Sequence, residues 1–126
     1  VGEEVLISGV IYTARDAAHK RLVDLIKKKK PLPFPLKDEI IYYTGPTPAK
    51  PPRPIGSCGP TTSFRMDSFT PLLLSKGLRG MIGKGSRSPE IIAFADLGLE
   101  AVYKLWVEDF PAIIGIDSRG EDLYNV

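Results

Sequence analysis

A group of hydroxyl-bearing residues follows a glycine-rich turn near the middle of the chain, where residues 56–67 read GSCGPTTSFRMD. Proline suits the first helical position, so the pattern predicts a helix that begins near Pro60. Thr61 and Arg65 would share one face of this helix, beside free backbone N–H groups that attract an anion. The stretch therefore predicts an anion site. The alternative is an ordinary capped helix whose arginine lies in solvent.

A second candidate cation, Arg15, lies where a predicted buried strand (5–12) meets a predicted helix (14–29) with Thr13 as its N-cap. A cation in the first turn opposes the helix dipole unless an anion is bound there. The position is also just past the carboxyl end of a strand, where open α/β sheets place ligands. Arg15 is therefore a candidate ligand contact, and the alternative is a surface arginine paired with an acid such as Asp16.

A third candidate cation is Lys84, which stands between two glycines. Glycine neighbours let the backbone approach a ligand and let the ammonium group reach it. The full phosphate-loop pattern is absent, so the motif gives no support for nucleotide binding.

Other reactive residue types have simpler interpretations. His19, the one histidine, is expected to be a partly exposed structural residue. Cys58, the one cysteine, has no evident base nearby and is expected to be a small neutral residue in a tight loop. The run Lys27–Lys30 is expected to be a solvated helix end, favoured by the helix dipole. Lys50 and Arg53 are expected to be solvated loop charges.

The remaining pattern alternates strands with two main helices, which predicts a single mixed α/β domain over residues 1–126. The first helix should bury Ala18, Leu22, Leu25 and Ile26. Trp106 should face a partner or another layer. Further elements are expected as a strand at 39–43, a proline-rich loop at 45–59, a central helix broken at Pro71 and ended at Gly77, and strands at 79–82, 91–94, 101–107 and 110–116.

Composition excludes several classes of protein. A hydrophobic fraction of 43% in 126 residues suits one packed domain and not a disordered chain. A net charge of +2 is too small for a typical nucleic-acid binder. No apolar run approaches the roughly 20 residues that span a bilayer. A single cysteine excludes an internal disulfide and cannot hold an iron–sulfur cluster alone, which favours a reducing, cytoplasmic setting.

Several separated motifs resemble the beta subunit, or C-terminal domain, of class I iron–sulfur fumarate hydratases and the related L-tartrate dehydratases. They are LISGVIYTARDAAH at 6–19, YTGPT at 43–47, GPTTSFRMD at 59–67, GKG at 83–85, AVYK at 101–104 and VEDFP at 107–111. The resemblance spans nearly the whole chain and implies a swivelling β/β/α layered domain with a mixed sheet.

The resemblance also implies a function. Class I fumarate hydratases interconvert L-malate and fumarate, and a 4Fe–4S cluster is held by the alpha subunit or domain. This chain would bind no cofactor itself and would form a hetero-oligomer with that cluster-bearing partner. It would supply Thr61 as the catalytic base and Arg15, Arg65 and Lys84 as cations for the dicarboxylate substrate.

One departure and two alternatives stay open. Between Gly85 and Ile91 the chain is shorter than the family pattern, so a segment is expected to be missing between 86 and 91; the alternative is a true deletion. The chain could also be the beta subunit of an L-tartrate dehydratase, or a non-catalytic module that binds anions or supports assembly. A nucleic-acid binder is a distant third, because it rests on Lys27–Lys30 alone.

Overall fold

The structure is a computed structural model that describes residues 2–84, 103–115 and 119. Its elements are β1 (Glu4–Thr13), α1 (Asp16–Lys27), β2 (Ile40–Tyr42), a 3₁₀ helix (Ser63–Met66), α2 (Thr70–Ser75), β3 (Gly80–Ile82) and β4 (Tyr103–Ile113). These elements confirm the predicted α/β class. The predicted strand at 91–94 and the short region at 86–91 lie outside the described residues.

The strands form one mixed sheet in the order β3-β2-β1-β4. β1 is parallel to β2, β2 is parallel to β3, and β4 is antiparallel to β1. Parallel neighbours require crossover connections, which are α1 between β1 and β2, and the long loop with the 3₁₀ helix and α2 between β2 and β3. The carboxyl ends of three strands consequently meet at one edge of the sheet. We call the edge where Thr13, Tyr42 and Ile82 end these strands the carboxyl edge.

The core lies between α1 and the sheet. Ala18 and Leu22 of α1 are buried in one cluster with Ile41 of β2. The rings of Tyr12 and Phe34 stack within it, with their centroids 4.3 Å apart. The predicted burial of Ala18 and Leu22 is confirmed. Leu25 and Ile26 lie toward the end of the helix and are only half-buried.

β4 is one continuous strand, so the prediction of two strands at 101–107 and 110–116 is wrong. The pairing with β1 shifts between Ile7 and Gly9, which is the pattern of a β-bulge. Asp109 adopts a positive φ of 51° there, and its N–H donates a hydrogen bond to Ser8 Oγ over 3.0 Å. The bulge accommodates the sequence Asp109-Phe110-Pro111 within the strand, although this sequence is typical of a strand end.

The β1–β4 pair carries apolar side chains at the surface. Leu6 is 68%, Trp106 77% and Ile113 60% exposed. β1 is therefore buried only toward its carboxyl end, and the prediction that the whole strand is buried is wrong for its first half. That Trp106 faces a partner or another layer stays a prediction.

Helix starts differ from expectation, while one helix end is confirmed. Arg15 is the N-cap of α1 and makes no side-chain capping bond. Thr13 is not the cap, because it is still paired within the sheet. α2 begins at Thr70, so Pro71 lies in its first turn instead of breaking a longer helix. Gly77 has a φ of +94° just after α2, as expected for a terminating glycine. Neither described α-helix has the length and apolar character that crossing a membrane requires.

Candidate functional site

The end of the proline-rich loop is fixed against the residues that follow β2. The Tyr42 hydroxyl donates to the carbonyl oxygen of Cys58 over 2.6 Å, and Thr44 Oγ1 donates to that of Gly59 over 2.6 Å. The Thr61 N–H then donates to the Tyr43 carbonyl over 2.6 Å. The loop therefore delivers Thr61 to the carboxyl edge.

Thr61 is joined there to the segment that follows β3. The Lys84 N–H donates to the Thr61 carbonyl over 3.1 Å, and the Ser63 N–H donates to the Lys84 carbonyl over 3.0 Å. Thr62 and Lys84 accordingly form a parallel bridge. Gly83 permits this approach, because a Cβ there would lie 2.9 Å from Tyr43 Cδ2 and 3.1 Å from the Thr61 carbonyl oxygen.

The predicted helix start at Pro60 is wrong. The 3₁₀ helix begins at Ser63, so Thr61 lies before it and does not share a helical face with Arg65. The amides of Thr61 and Ser63 are already bonded to carbonyl groups, so they are not open donors for an anion. Proline and hydroxyl residues are as compatible with an extended segment as with a helix start, and the pairing with Lys84 decides between them.

Arg65 connects the 3₁₀ helix to the first turn of α1. Its Nε and Nη2 atoms lie 3.0 Å and 2.7 Å from Oδ2 of Asp16. The two side chains are 24% and 32% exposed, so this ion pair is partly shielded from water. The sequence offers pairing of Asp16 with Arg15 only as an alternative, and it does not indicate pairing with Arg65 because that residue lies 49 positions away.

Arg15 lies beside this ion pair at the start of α1 and is half-buried. Its carbonyl oxygen accepts the backbone N–H of His19 over 2.9 Å. It also lies 2.7 Å from Nδ1 of the same histidine. Since a carbonyl oxygen only accepts, we assign the imidazole proton to Nδ1.

His19 is fully buried, so the prediction of a partly exposed histidine is wrong. Its ring packs edge-on against Tyr43 at 5.3 Å and near Phe69 at 5.8 Å. Burial lowers the pKa of His19 below 6.5, although the carbonyl of Arg15 and the charge of Asp16 oppose this shift. The buried face of α1 is wider than its aliphatic residues indicate, which is why the sequence did not reveal this histidine.

The structure brings the backbones of the predicted site residues to the same edge of the sheet. Arg15 follows β1, Thr61 is bonded beside the end of β2, and Lys84 follows β3. Arg65 is joined to this edge through Asp16. Thr61 is half-buried, whereas Lys84 is exposed. One hydroxyl-bearing residue and three cationic residues at one edge are residue types suited to a ligand with more than one carboxylate.

The described part of the chain offers little to a metal ion. It contains no group of three or more His, Cys, Asp or Glu residues that could hold one. Burial raises the pKa of the Cys58 thiol, which disfavours the thiolate that a metal would require. An iron–sulfur cluster takes several cysteine thiolates, and the sequence has one cysteine.

Comparison with known proteins gives the family. The sequence matches the fumarase C-terminus family over residues 1–93 and 88–126. It is 36% identical over 158 residues to the anaerobic class I fumarate hydratase of Escherichia coli (strain K12), an alignment that covers 99% of this chain and 29% of that protein. It is 34% identical over 158 residues to fumarate hydratase 2 of Leishmania major, covering 99% and 28%.

A shorter relative is named for a different activity. The chain is 37% identical over 103 residues to the putative L(+)-tartrate dehydratase subunit beta of Methanocaldococcus jannaschii, covering 79% of this chain and 53% of that protein. This chain therefore spans less than a third of the two fumarate hydratases and about half of the tartrate dehydratase subunit. Because the family match extends along the chain from end to end, this protein belongs to the fumarase C-terminus family.

Proposed function

We propose that this chain is the beta part of a class I fumarate hydratase, which reversibly dehydrates L-malate to fumarate with a cluster-bearing alpha partner. The observation that carries the proposal is the meeting of Arg15, Thr61 and Lys84 at the carboxyl edge, with Arg65 tied to the same edge through Asp16. Open α/β sheets bind ligands at this edge. The 36% identity to a class I fumarate hydratase supports the reaction.

Thr61 is the proposed base. Its hydroxyl oxygen would take the proton from the substrate carbon beside one carboxylate, while hydroxide leaves the neighbouring carbon. A threonine hydroxyl is a weak base at neutral pH, and nearby cations favour its deprotonated form. The backbone hydrogen bonds of Thr61 to Tyr43 and Lys84 fix its position. A base must lie within reach of the proton that it takes, whatever its pKa.

Arg15, Arg65 and Lys84 are the proposed carboxylate contacts. Loss of the carbon-bound proton builds negative charge on the adjacent carboxylate. Fixed cations stabilise that charge as it develops, and a guanidinium offers two parallel donors to one carboxylate. These side chains therefore bind the substrate and lower the barrier to proton removal.

A 4Fe–4S cluster would be held by the alpha partner, since this chain has one cysteine with a raised thiol pKa. The cluster would supply Lewis-acid assistance to the departing hydroxyl group. The same lack of thiols is consistent with a reducing, cytoplasmic setting for the assembled enzyme.

The test is reconstitution without oxygen of this chain with a class I alpha subunit, followed by malate and fumarate turnover. We expect turnover in the complex and a fall in kcat of at least about a hundredfold in Thr61→Ala. Thr61→Ser is the matched control, because it keeps a hydroxyl at the same position. Near-normal turnover by Thr61→Ala would remove Thr61 from the role of base.

L-tartrate dehydration is the second candidate, favoured by the 37% identity to a tartrate dehydratase subunit. Malate and tartrate both present two carboxylates and a hydroxyl group, so the same four side chains suit either substrate. Comparison of kcat/KM for the two substrates in one complex decides between them. A complex that binds dicarboxylates but turns over neither would instead be a non-catalytic anion-binding module.

A further inference from the structure

We propose that Asp16 is a positioning residue, which orients the guanidinium of Arg65 toward a substrate carboxylate. The proposal rests on the proposed function, because it assigns the role of Arg65 to that site. It concerns a residue that would act through Arg65 and would not touch the reacting atoms.

The geometry of the ion pair indicates which side of the guanidinium is left for a ligand. A guanidinium has one donor edge formed by Nε and Nη2 and another formed by Nη1 and Nη2. Asp16 Oδ2 receives both Nε and Nη2, at 3.0 Å and 2.7 Å. Within the described part of the chain, the Arg65 side chain makes no further hydrogen bond. The Nη1–Nη2 edge therefore remains for a two-point contact with a carboxylate.

The burial of the pair makes this orientation persistent. The Arg65 side chain is 24% exposed and that of Asp16 is 32% exposed, so water competes only partly for their donors and acceptors. Arg65 is also held by its 3₁₀ helix, and Asp16 by the first turn of α1. A long flexible side chain thereby loses its rotational freedom before a substrate arrives, which lowers the entropic cost of binding.

Protein donors also satisfy only one of the two carboxylate oxygens of Asp16 within the described residues. Its Oδ1 atom is buried and has no hydrogen-bond partner among the described residues. A pair that served stability alone would be expected to satisfy both carboxylate oxygens, since a buried acceptor without a donor is costly. The arrangement therefore fits a residue that is placed for the orientation of Arg65.

A different role for Asp16 makes an opposite prediction. An acid in the first turn stabilises a helix through its dipole, which affects unfolding and not substrate binding. An acid that only neutralised local positive charge would weaken the attraction for an anionic substrate, so its removal would lower KM. Orientation of Arg65 is the role in which loss of Asp16 raises KM.

The experiment compares Asp16→Asn with wild type in the assembled enzyme. We expect KM for L-malate to rise about tenfold, as for the loss of one oriented charge-assisted contact, with kcat changed less. Asp24→Asn is the matched control, because Asp24 is an exposed acid on the same helix. It should leave KM unchanged. An unchanged or lower KM in Asp16→Asn would overturn the proposal, even if its melting temperature fell.

A double-mutant cycle tests whether Asp16 acts through Arg65. Arg65→Lys removes the planar donor edges but keeps the charge. If Asp16 only orients Arg65, adding Asp16→Asn to Arg65→Lys should raise KM no further. If Asp16→Asn raised KM as much in the Arg65→Lys background as in wild type, the proposal would be overturned.

The same variants separate this proposal from the proposed function. If the wild-type complex does not turn over malate, the fumarate hydratase assignment fails. Calorimetric titration of that complex with succinate, a dicarboxylate without a hydroxyl group, then replaces KM. Weaker succinate binding in Asp16→Asn but not in Asp24→Asn would support the positioning role, and equal or absent binding in wild type and Asp16→Asn would overturn it.

Discussion

The backbone of Lys84 is hydrogen-bonded to that of Thr61, with the amide of Lys84 3.1 Å from the carbonyl oxygen of Thr61. This bond joins the proposed base to a proposed cation through the main chain and not through their side chains. Substitution of either side chain should therefore leave the segment in place. The two positions should respond together only to changes that disturb the backbone between them.

Gly83→Ala should disturb that backbone. The added Cβ would contact Ser63 Oγ, lie 2.9 Å from Tyr43 Cδ2 and lie 3.1 Å from the Thr61 carbonyl oxygen. We expect the free energy of unfolding to fall by about 1–3 kcal/mol, as in other overpacked sites. KM for the dicarboxylate should rise as well, because Lys84 is the next residue. Denaturant titration and steady-state kinetics measure the two effects.

Gly59→Ala is the control for Gly83→Ala, since a Cβ on Gly59 would meet nothing within 4 Å. Gly59 lies in the loop that precedes Thr61. The Gly59→Ala variant should change neither the free energy of unfolding nor KM appreciably. Equal destabilisation by the two variants would show that the close packing around Gly83 is not the cause.

His19 should make stability depend on pH in a defined window. Burial lowers the pKa of the folded imidazole below 6.5, so the folded state binds fewer protons there than the unfolded state. The stabilisation is complete above about pH 6.5 and is lost progressively as the pH falls toward the lower folded pKa. The melting temperature of wild type should therefore decrease between pH 7 and 5, as followed by circular dichroism.

His19→Asn removes this titration while keeping a side-chain donor for the Arg15 carbonyl. Its melting temperature should be lower at pH 7 because of lost packing, but should change less steeply with pH. His19 is the one histidine in the sequence, so no other imidazole of this chain titrates in that range. Parallel pH profiles for the two proteins would contradict the assignment of a neutral buried histidine.

Thr44→Val should loosen the segment that carries Thr61. Thr44 is 1% exposed and donates to the Gly59 carbonyl, whereas valine has nearly the same shape and no donor. We expect a loss of about 1 kcal/mol in the free energy of unfolding, because a part-buried hydrogen bond is lost and valine cannot replace it. The kcat should fall too, as the position of the Thr61 hydroxyl becomes less defined.

Thr47→Val provides the comparison, because the Thr47 hydroxyl accepts an exposed hydrogen bond from the Ser57 N–H in the same loop. Water can replace that bond, so the loss should be smaller. If both valine variants behaved alike, burial of the Thr44 bond would not explain its effect.

The Cys58 thiol should have low reactivity. Burial raises its pKa, so the protonated thiol predominates at neutral pH and reacts slowly with iodoacetamide. Cys58→Ser should retain kcat within about twofold, because a hydroxyl fills nearly the same space and no chemistry is lost. Rapid alkylation of the native protein, or a large loss of kcat in the serine variant, would contradict this interpretation.

Elements with local signals were well predicted from the sequence. The β-branched run of β1, the buried Ala18 and Leu22 of α1 and the terminating Gly77 each depend on residues within a few positions of one another. The expected position of Arg15, just past the end of a strand, follows from the same local pattern. Propensity and spacing carry such information because their physical causes are local.

The features that the sequence did not reveal depend on distant partners. Thr61 lies in an extended segment because it bonds to Tyr43 and Lys84, and no local preference encodes those bonds. The pairing of Asp16 with Arg65 joins positions 49 apart. His19 is buried because Tyr43 and Phe69 pack against it from other segments. Tertiary contacts overrode local tendencies in each case.

Trp106 gives the protein an intrinsic fluorescent reporter. It is the one tryptophan in the sequence, and 77% of it is open to solvent on the strand next to β1. Its emission should be red-shifted and readily quenched by acrylamide in the isolated chain. Any association that covers this face would shift the emission to shorter wavelength and slow the quenching, so assembly can be followed without a label.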